Sequence, residues 1–312
     1  MSNLDPECVY IACSSDENYA MPLAVMLTSL VINLRKYKKT HIFILESGIT
    51  PDSKQKILRS VVRDGVDVQF IIADASLLSG MKVIGHVSSA AYLRFLIGDI
   101  LPQDLNKIIY LDCDLIVQAD ISGLWDIPIG ENIVLAVPEQ RKELMFVSSR
   151  FGLINYKELG LSENQKYFNS GVLVVNLETW RKNNIGSMAV QYIKKNRPIM
   201  RLNDEEALNA LLANRWAELD YRWNLLTQTF PNTKRNVYLN SSWDAGPIKD
   251  KATYERLIRH PYIIHFNTSS KPWMAGCEHP YKKLFFYYLD KTDWKGWRAP
   301  KRFRAWIKKM TP

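Results

Sequence analysis

The chain has 312 residues, 47% of them hydrophobic and 23% charged, and a formal net charge of +9. This suits one large α/β domain, or one domain with a small annex, and excludes a disordered, repetitive or staple-dependent chain. In residues 291–312 eight Lys/Arg face a single acid, Asp293, so most of the excess charge lies in that segment. A basic nucleic-acid groove across the whole protein is thereby excluded, and no nucleic-acid partner is expected.

The elements follow in chain order. Val9-Tyr10-Ile11-Ala12-Cys13 reads as a buried strand, and the polar loop Ser14 to Asn18 follows it. Pro22 opens a helix to about residue 38, because proline is tolerated in a first turn. A second strand spans 41–45. Thr50-Pro51 then caps and starts a helix to about residue 63, and a third strand spans 68–72. Strand, helix, strand, helix, strand in so short a stretch implies βαβ units and a parallel sheet. A helix at 89–97, strands at 107–111, 133–137, 171–176 and 262–266, and helices at 187–195 and 205–212 complete the pattern. The expected fold is an open α/β sheet with ligands beyond the carboxyl ends of the strands, where both Asp16 and Asp112 fall.

The four cysteines, Cys8, Cys13, Cys113 and Cys277, form no C-x-x-C pair, so neither a zinc site nor a dithiol redox motif is suggested; a reducing compartment is expected. Residues 1–7 carry acids and no apolar run, so no signal peptide is expected, and the apolar stretch 21–32 is too short to span a bilayer. A cytosolic protein is expected on these grounds.

Tyr110-Leu111-Asp112-Cys113-Asp114 ends an apolar strand. Side chains at i and i+2 share a face, so the two carboxylates converge while Cys113 points inward. A hard dication relieves their repulsion and leaves positions for phosphate oxygens; a solvated strand end is the plain alternative. His265, closing the strand Pro261 to Phe266, supplies a possible third ligand, and Asp-Asp-His suits Mn²⁺ or Mg²⁺. Lys271 is a flexible point charge able to reach a phosphate, or a solvated loop lysine.

Asp16, Asn18 and Tyr19 follow the first strand, where a carboxylate and an amide can read a base edge and a phenol ring can stack; a polar helix-capping loop fits too. Arg94 can pair with Asp112 or with phosphate. Phe168-Asn169-Ser170-Gly171 opens a strand, with Asn169 able to bond sugar hydroxyls and Gly171 permitting close backbone approach. Asn203-Asp204-Glu205-Glu206 precedes a helix and also reads as an N-cap with acids in the first turn.

Together these motifs resemble glycosyltransferase family 8, the retaining GT-A-fold enzymes. The resemblance covers roughly residues 8 to 280. It rests on Asp16-Glu17-Asn18-Tyr19-Ala20, Tyr92-Leu93-Arg94, Tyr110 to Asp114, Tyr167-Phe168-Asn169-Ser170-Gly171-Val172-Leu173 with Asn176-Leu177 and Trp180-Arg181, and His265 with Lys271-Pro272-Trp273. It implies an open, mostly parallel GT-A sheet with helices on both faces. It further implies uridine at Asp16, Asn18 and Tyr19, support from Arg94, Mn²⁺ at Asp112, Asp114 and His265, diphosphate at Lys271, and donor sugar at Asn169 and Asp204. Two departures stand out. The family often has Asp-Gln-Asp where this chain has Asp204-Glu205-Glu206, which places Glu205 at the sugar's reacting face as nucleophile or oxocarbenium stabiliser. A glycine is common where this chain has Thr268.

The expected organisation is a catalytic domain over 1–290, with a nucleotide-binding half at about 8–120 and an acceptor-binding half at about 121–290, then a basic aromatic tail at 291–312. The expected activity is metal-dependent transfer of glucose or galactose from UDP-glucose or UDP-galactose to a glycan or lipid-linked acceptor. A non-catalytic UDP-sugar-binding regulator and a sugar nucleotidyltransferase are the alternatives; the lack of a Gly-rich N-terminal phosphate loop speaks against the second. The tail's Trp and Lys/Arg suit docking on an anionic membrane, which would place the protein on the inner face of the cytoplasmic membrane.

Overall fold

The computed structural model describes residues 5, 8–35, 39–73, 78, 81, 89–230, 248 and 250–299. Strands β1 (Cys8–Ser15), β2 (Lys39–Glu46) and β3 (Val66–Ile72) alternate with helices α1 (Ala20–Asn33) and α2 (Pro51–Ser60). α1 stops short of the expected end because Leu34 turns extended, with φ −64° and ψ 140°; residues 36–38 of that expectation lie outside the described residues. α2 begins as expected: Thr50 accepts from the Ser53 amide and Pro51 occupies the first turn. The expected helix at 89–97 is instead a 3-10 turn over Ser89–Leu96 that leads into the short α3 (Ile97–Ile100).

β4 (Lys107–Leu111) is followed closely by β5 (Leu115–Val117) and α4 (Ser122–Trp125). Next come β6 (Val134–Pro138), β7 (Phe168–Asn176), α5 (Leu177–Lys182), α6 (Ile185–Asn196), α7 (Asp204–Leu212) and β8 (Trp216–Glu218). The chain then adds β9 (Leu225–Leu226), α8 (Lys251–Arg259), β10 (Ile263–His265) and α9 (Lys282–Leu289).

The main sheet has the order β3-β2-β1-β4-β7-β6-β8. All its pairings are parallel except those of β7, which runs against both neighbours. The order reverses between β1 and β4, and that switch point is where an open sheet offers a crevice. A separate three-stranded sheet, β5-β10-β9, stands beside it.

β1 is buried along its whole length, and its side chains alternate between two cores, which demands two helical layers. Val9, Ile11 and Cys13 join a core with Leu23, Leu27, Ile57 and Val61 from α1 and the end of α2. Tyr10 and Ala12 face the opposite core with Tyr92, Phe95, Trp180 and Ile193. Successive strand residues point to opposite faces, so a strand buried on both sides must be covered on both.

In the β6–β7 pairing the register shifts: Ala136 faces Leu173 but Val137 faces Asn169. Such a bulge re-aims side chains, here Asn169 to Gly171. Asn209 of α7 pins the start of β7. Its Oδ1 accepts from the Phe168 amide at 2.8 Å and its Nδ2 donates to the Phe168 carbonyl at 2.9 Å.

Residues 291–299, the start of the expected tail, pack on the domain. Trp294 lies under Lys56, 5.6 Å from the ring centroid, and Asp293 pairs with Arg59 at 2.5 Å. Residues 300–312 lie outside the described residues.

Asn209 is fully buried, and each buried backbone group left unpaired costs ~1–3 kcal/mol, so Asn209→Ala is expected to cost roughly 2–6 kcal/mol. A urea unfolding midpoint close to that of the unaltered protein would show that the clasp is not what holds β7.

Candidate active site

Asp112-Cys113-Asp114 is the short link by which the chain passes from β4 in the main sheet to β5 in the small one. β10 pairs antiparallel with β5 and sets His265 opposite Leu115, the residue after Asp114. The two sheets thus converge on one point. Oxygens of Asp112 and Asp114 and a ring nitrogen of His265 lie within 4.8 Å of one another. His265 Nε2 is 3.2 Å from Asp114 Oδ1 and 3.8 Å from Asp112 Oδ2. Cys113 turns inward as its alternation requires, its Sγ 3.1 Å from the Ser14 carbonyl.

The surrounding charges are arranged around these carboxylates. Arg94 is almost wholly buried. Its Nη2 donates to Asp112 Oδ1 at 2.6 Å, and its Nε is 2.9 Å from Asp204 Oδ2. Its Nη1 holds the Ser170 carbonyl at 2.9 Å and hydroxyl at 2.8 Å. Burial opposes the guanidinium's charge, but Asp112 and Asp204 outweigh it and hold its pKa above the ordinary value. Lys271 Nζ donates to Asp114 Oδ2 and, at 2.6 Å, to the Phe266 carbonyl. For Asp114 burial is outweighed by Lys271 and His265, which hold the carboxyl well below its ordinary range. For Asp112 burial prevails over Arg94, and the carboxyl is raised.

Asp16 and Tyr19 line the same cleft at the end of β1. Asp16 caps the following turn, accepting from the Tyr19 amide at 3.2 Å, and Tyr19 meets Trp273 edge to face at 5.9 Å. Asn18 is exposed and does not share that lining. Asn203 and Asp204 do not cap α7 with their side chains. Asn203 accepts from the Tyr92 hydroxyl at 3.1 Å, and Asp204 is taken by Arg94.

Glu205 enters the cleft from the first turn of α7. Its Oε2 accepts from Asn169 Nδ2 at 2.7 Å and the Ser170 amide at 3.2 Å. Its Oε1 is 3.7 Å from Arg141 Nη2. That guanidinium is already bonded at 2.5 Å to the fully buried Glu139. Burial, with Glu139 adding to it and Arg141 opposing, pushes the Glu205 carboxyl up to about 8.

Sequence reasoning missed Glu139, Arg141 and Asn224. The first two follow β6 directly, and β6 runs parallel to β4, so the strand-end rule that found Asp112 also points to them. Asn224 precedes the two-residue β9 and carries no comparable signal. It accepts from His265 Nδ1 at 3.0 Å and donates to Asn169 Oδ1 at 2.7 Å.

The three ligand side chains fit a hard divalent ion. Two carboxylates and an imidazole suit Mn²⁺ or Mg²⁺, and His265 has its far nitrogen hydrogen-bonded, as metal-ligating histidines do. The space is kept by Gly171: a Cβ there would come within 2.3 Å of His265 Cε1 and 2.9 Å of Asp112 Oδ2.

An open, mostly parallel sheet with an acidic pair at its switch point is the GT-A arrangement of glycosyltransferases. The chain belongs to glycosyl transferase family 8, whose model matches residues 10–277. It is 31% identical over 293 residues to General stress protein A of Bacillus subtilis (strain 168), a match covering 92% of this chain and 95% of that one. It is 25% identical over 292 residues to lipopolysaccharide 1,2-glucosyltransferase of Escherichia coli (strain K12), covering 93% and 80%. Its fold is similar to that of galactosyltransferase LgtC, solved with donor and acceptor sugar analogs, at TM-score 0.75 and 23% identity over 91% of this chain and 96% of that one.

The raised Glu205 carboxyl makes a pH prediction. The folded protein keeps a proton there up to about 8, whereas the ordinary value is 4.5. Glu205 therefore favours folding fully below its ordinary value, and that contribution is lost as pH rises through the folded one. The melting temperature of Glu205→Gln minus that of the unaltered chain is expected to grow steadily from pH 5 to about pH 8. A difference that does not change with pH would contradict the burial of this charge.

Proposed function

We propose that the protein is a retaining hexosyltransferase that moves glucose or galactose from a UDP-sugar to a glycan or lipid-linked acceptor, with Mn²⁺ or Mg²⁺ at Asp112, Asp114 and His265. The observation that carries this reading is that one cleft is lined by Asp112, Asp114, His265 and Lys271 together with Asn169, Asp204 and Glu205. A diphosphate and a sugar joined to it need such neighbours. The nucleotide-binding half is assigned to about 8–120 and the acceptor-binding half to about 121–290.

The transfer breaks the anomeric C–O bond to UDP and makes a glycosidic bond of the same configuration. When bound, the ion supplies a Lewis acid for the negative charge that grows on the departing diphosphate. Lys271 adds a positive charge beside it, and Arg94 keeps Asp112 and Asp204 in place. Asp16 and Tyr19 receive the uridine, with Asn18 contributing from the rim. Asn169 and Asp204 orient the sugar. Glu205 acts on the reacting carbon as nucleophile or oxocarbenium stabiliser, and in either role it must be ionised. Turnover is therefore expected to rise with pH towards about 8, where that carboxyl titrates.

The measurement is UDP release from a panel of UDP-sugars with Mn²⁺, with and without candidate acceptors. Release is expected from UDP-glucose or UDP-galactose. Asp112→Ala and Asp114→Ala are each expected to lose about 10²–10³ in rate, the scale of a lost electrostatic contact to developing charge. Substantial metal-independent turnover in either variant would remove the metal from the proposal. Metal-dependent UDP binding with no release from any donor would remove the transferase itself.

No helix among the described residues is long and apolar enough to cross a membrane. The proposed setting is the cytoplasm, on the inner membrane face, held by residues 291–312. Basic residues near an anionic surface contribute ~1 kcal/mol each. Co-sedimentation with phosphatidylglycerol vesicles that fades as salt rises is the expected result, and salt-resistant binding or none speaks against docking.

A further inference from the structure

Asn224 ends the 3-10 turn Tyr221–Asn224 and is fully buried. Its carbonyl accepts from Gln140 Nε2 at 2.7 Å, so its main chain is held independently of its side chain. That side chain lies between two residues of the cleft, and the direction of every bond through it can be deduced from one fixed donor. The Gly171 amide can only donate, so the Asn169 atom it meets at 3.1 Å is the carbonyl Oδ1. The Asn224 atom 2.7 Å from that oxygen must then be its NH₂ group, since two carbonyl oxygens would repel. The other end of the Asn224 amide, its Oδ1, is therefore what faces His265 Nδ1 at 3.0 Å. It follows that Nδ1 carries a proton, so that Nε2 is the ring nitrogen left to offer a lone pair to an ion between Asp112 and Asp114. In the other direction, Asn169 Nδ2 donates to Glu205 Oε2 at 2.7 Å.

One donor direction thus runs from His265 through Asn224 and Asn169 to Glu205. As far as Asn169 it is closed from solvent: Asn224 is 0%, His265 3% and Asn169 4% exposed. In such a chain, turning one amide over obliges its neighbours to turn or to lose a bond, and a lost buried bond is costly.

We propose that Asn224 is a positioning residue that ties the metal-ligand face of the site to Glu205, its oxygen setting the His265 tautomer and its NH₂ group setting Asn169. The proposal deepens the transferase reading and rests on it for the kinetic arm of its test. Two substitutions separate the two ends of the amide. Asn224→Ala removes both bonds. Asn224→Asp keeps the shape and still accepts from His265 Nδ1, but it offers an oxygen to Asn169 Oδ1 and breaks the link to Glu205.

The test uses the full chain, with thermal melts to confirm that each variant is folded. Mn²⁺ affinity is measured by calorimetric titration in the presence of UDP, and kcat and KM for the UDP-sugar by UDP release. Asn224→Ala is expected to bind Mn²⁺ roughly 10- to 100-fold more weakly, the usual cost of losing a partner behind a metal ligand. Asn224→Asp is expected to keep Mn²⁺ affinity within about threefold, because the ligand's partner is retained. Its kcat should nonetheless fall about tenfold or more with KM little changed, as for an interaction made mainly in the transition state. Asn224→Asp binding Mn²⁺ as poorly as Asn224→Ala would overturn the tautomer assignment. An unchanged kcat in Asn224→Asp would overturn the link to Glu205. Lower melting temperatures with unchanged affinity and kcat would reduce Asn224 to packing. An unaltered chain that binds Mn²⁺ with UDP yet releases nothing from any donor defeats the transferase reading alone, and the affinities of the two variants still decide the His265 arm.

Discussion

Two carboxylates held side by side at a strand end, largely out of water, are the constraint on which this structure turns. At such separations like charges repel by several kcal/mol at the dielectric of a protein surface. The fold answers with two cations and an imidazole, brought in from three different directions. Arg94 comes from the 3-10 turn that covers one face of the sheet, Lys271 from the loop after β10, and His265 from β10 itself. The small sheet is the means of delivery. It exists to turn the chain away from the main sheet immediately after Asp114 and to set His265 against that turn. A divalent ion would complete the neutralisation, and Gly171 keeps the space it needs.

The opposite wall of the cleft repeats the problem with a different answer. Glu139 and Glu205 share one guanidinium, Arg141, which bonds the first at 2.5 Å and stands 3.7 Å from the second. One cation for two buried carboxylates leaves a deficit, and Glu205 takes it up by holding its proton to about 8. The resembled family often has a neutral glutamine at this place. A carboxylate in its stead needs a cation nearby, and Arg141 is that cation. Glu139, Arg141 and Glu205 form one electrostatic unit, so none of the three is understood alone.

Much of the site was legible in the sequence because it lies where local rules apply. β1, β2 and β4 are apolar runs with polar residues at their carboxyl ends, and Asp16 and Asp112 follow directly from that pattern. Arg94 stood out through its neighbours Tyr92 and Leu93, and Asn169 through the glycine that follows it. What escaped notice was short or irregular. β5, β8 and β9 have two or three residues each, too few for a period to register. The turn at Ser89–Leu96 has the composition of an α-helix and the geometry of a 3-10 one. Asn203 and Asp204 have the chemistry of caps, but a buried tyrosine hydroxyl and a buried guanidinium claim them first.

By itself the sequence determined the layered α/β class, the strand ends that carry carboxylates, and the set of residue types able to hold a metal and a diphosphate. Those follow from periodicity, from turn chemistry and from charge, all of which act over a few residues. The tertiary structure decided how His265, already a candidate third ligand, is set against Asp112 and Asp114, and it alone decided that Arg141 stands between two glutamates and that Asn224 joins His265 to Asn169. Glu139 and Arg141 apart, these partners are far from one another along the chain, and they meet through strand pairing within the small sheet and through the placing of α7 against the start of β7. The polarity of the buried hydrogen bonds, which sets the proton on His265, could be read only once the Gly171 amide and its acceptor were seen in place.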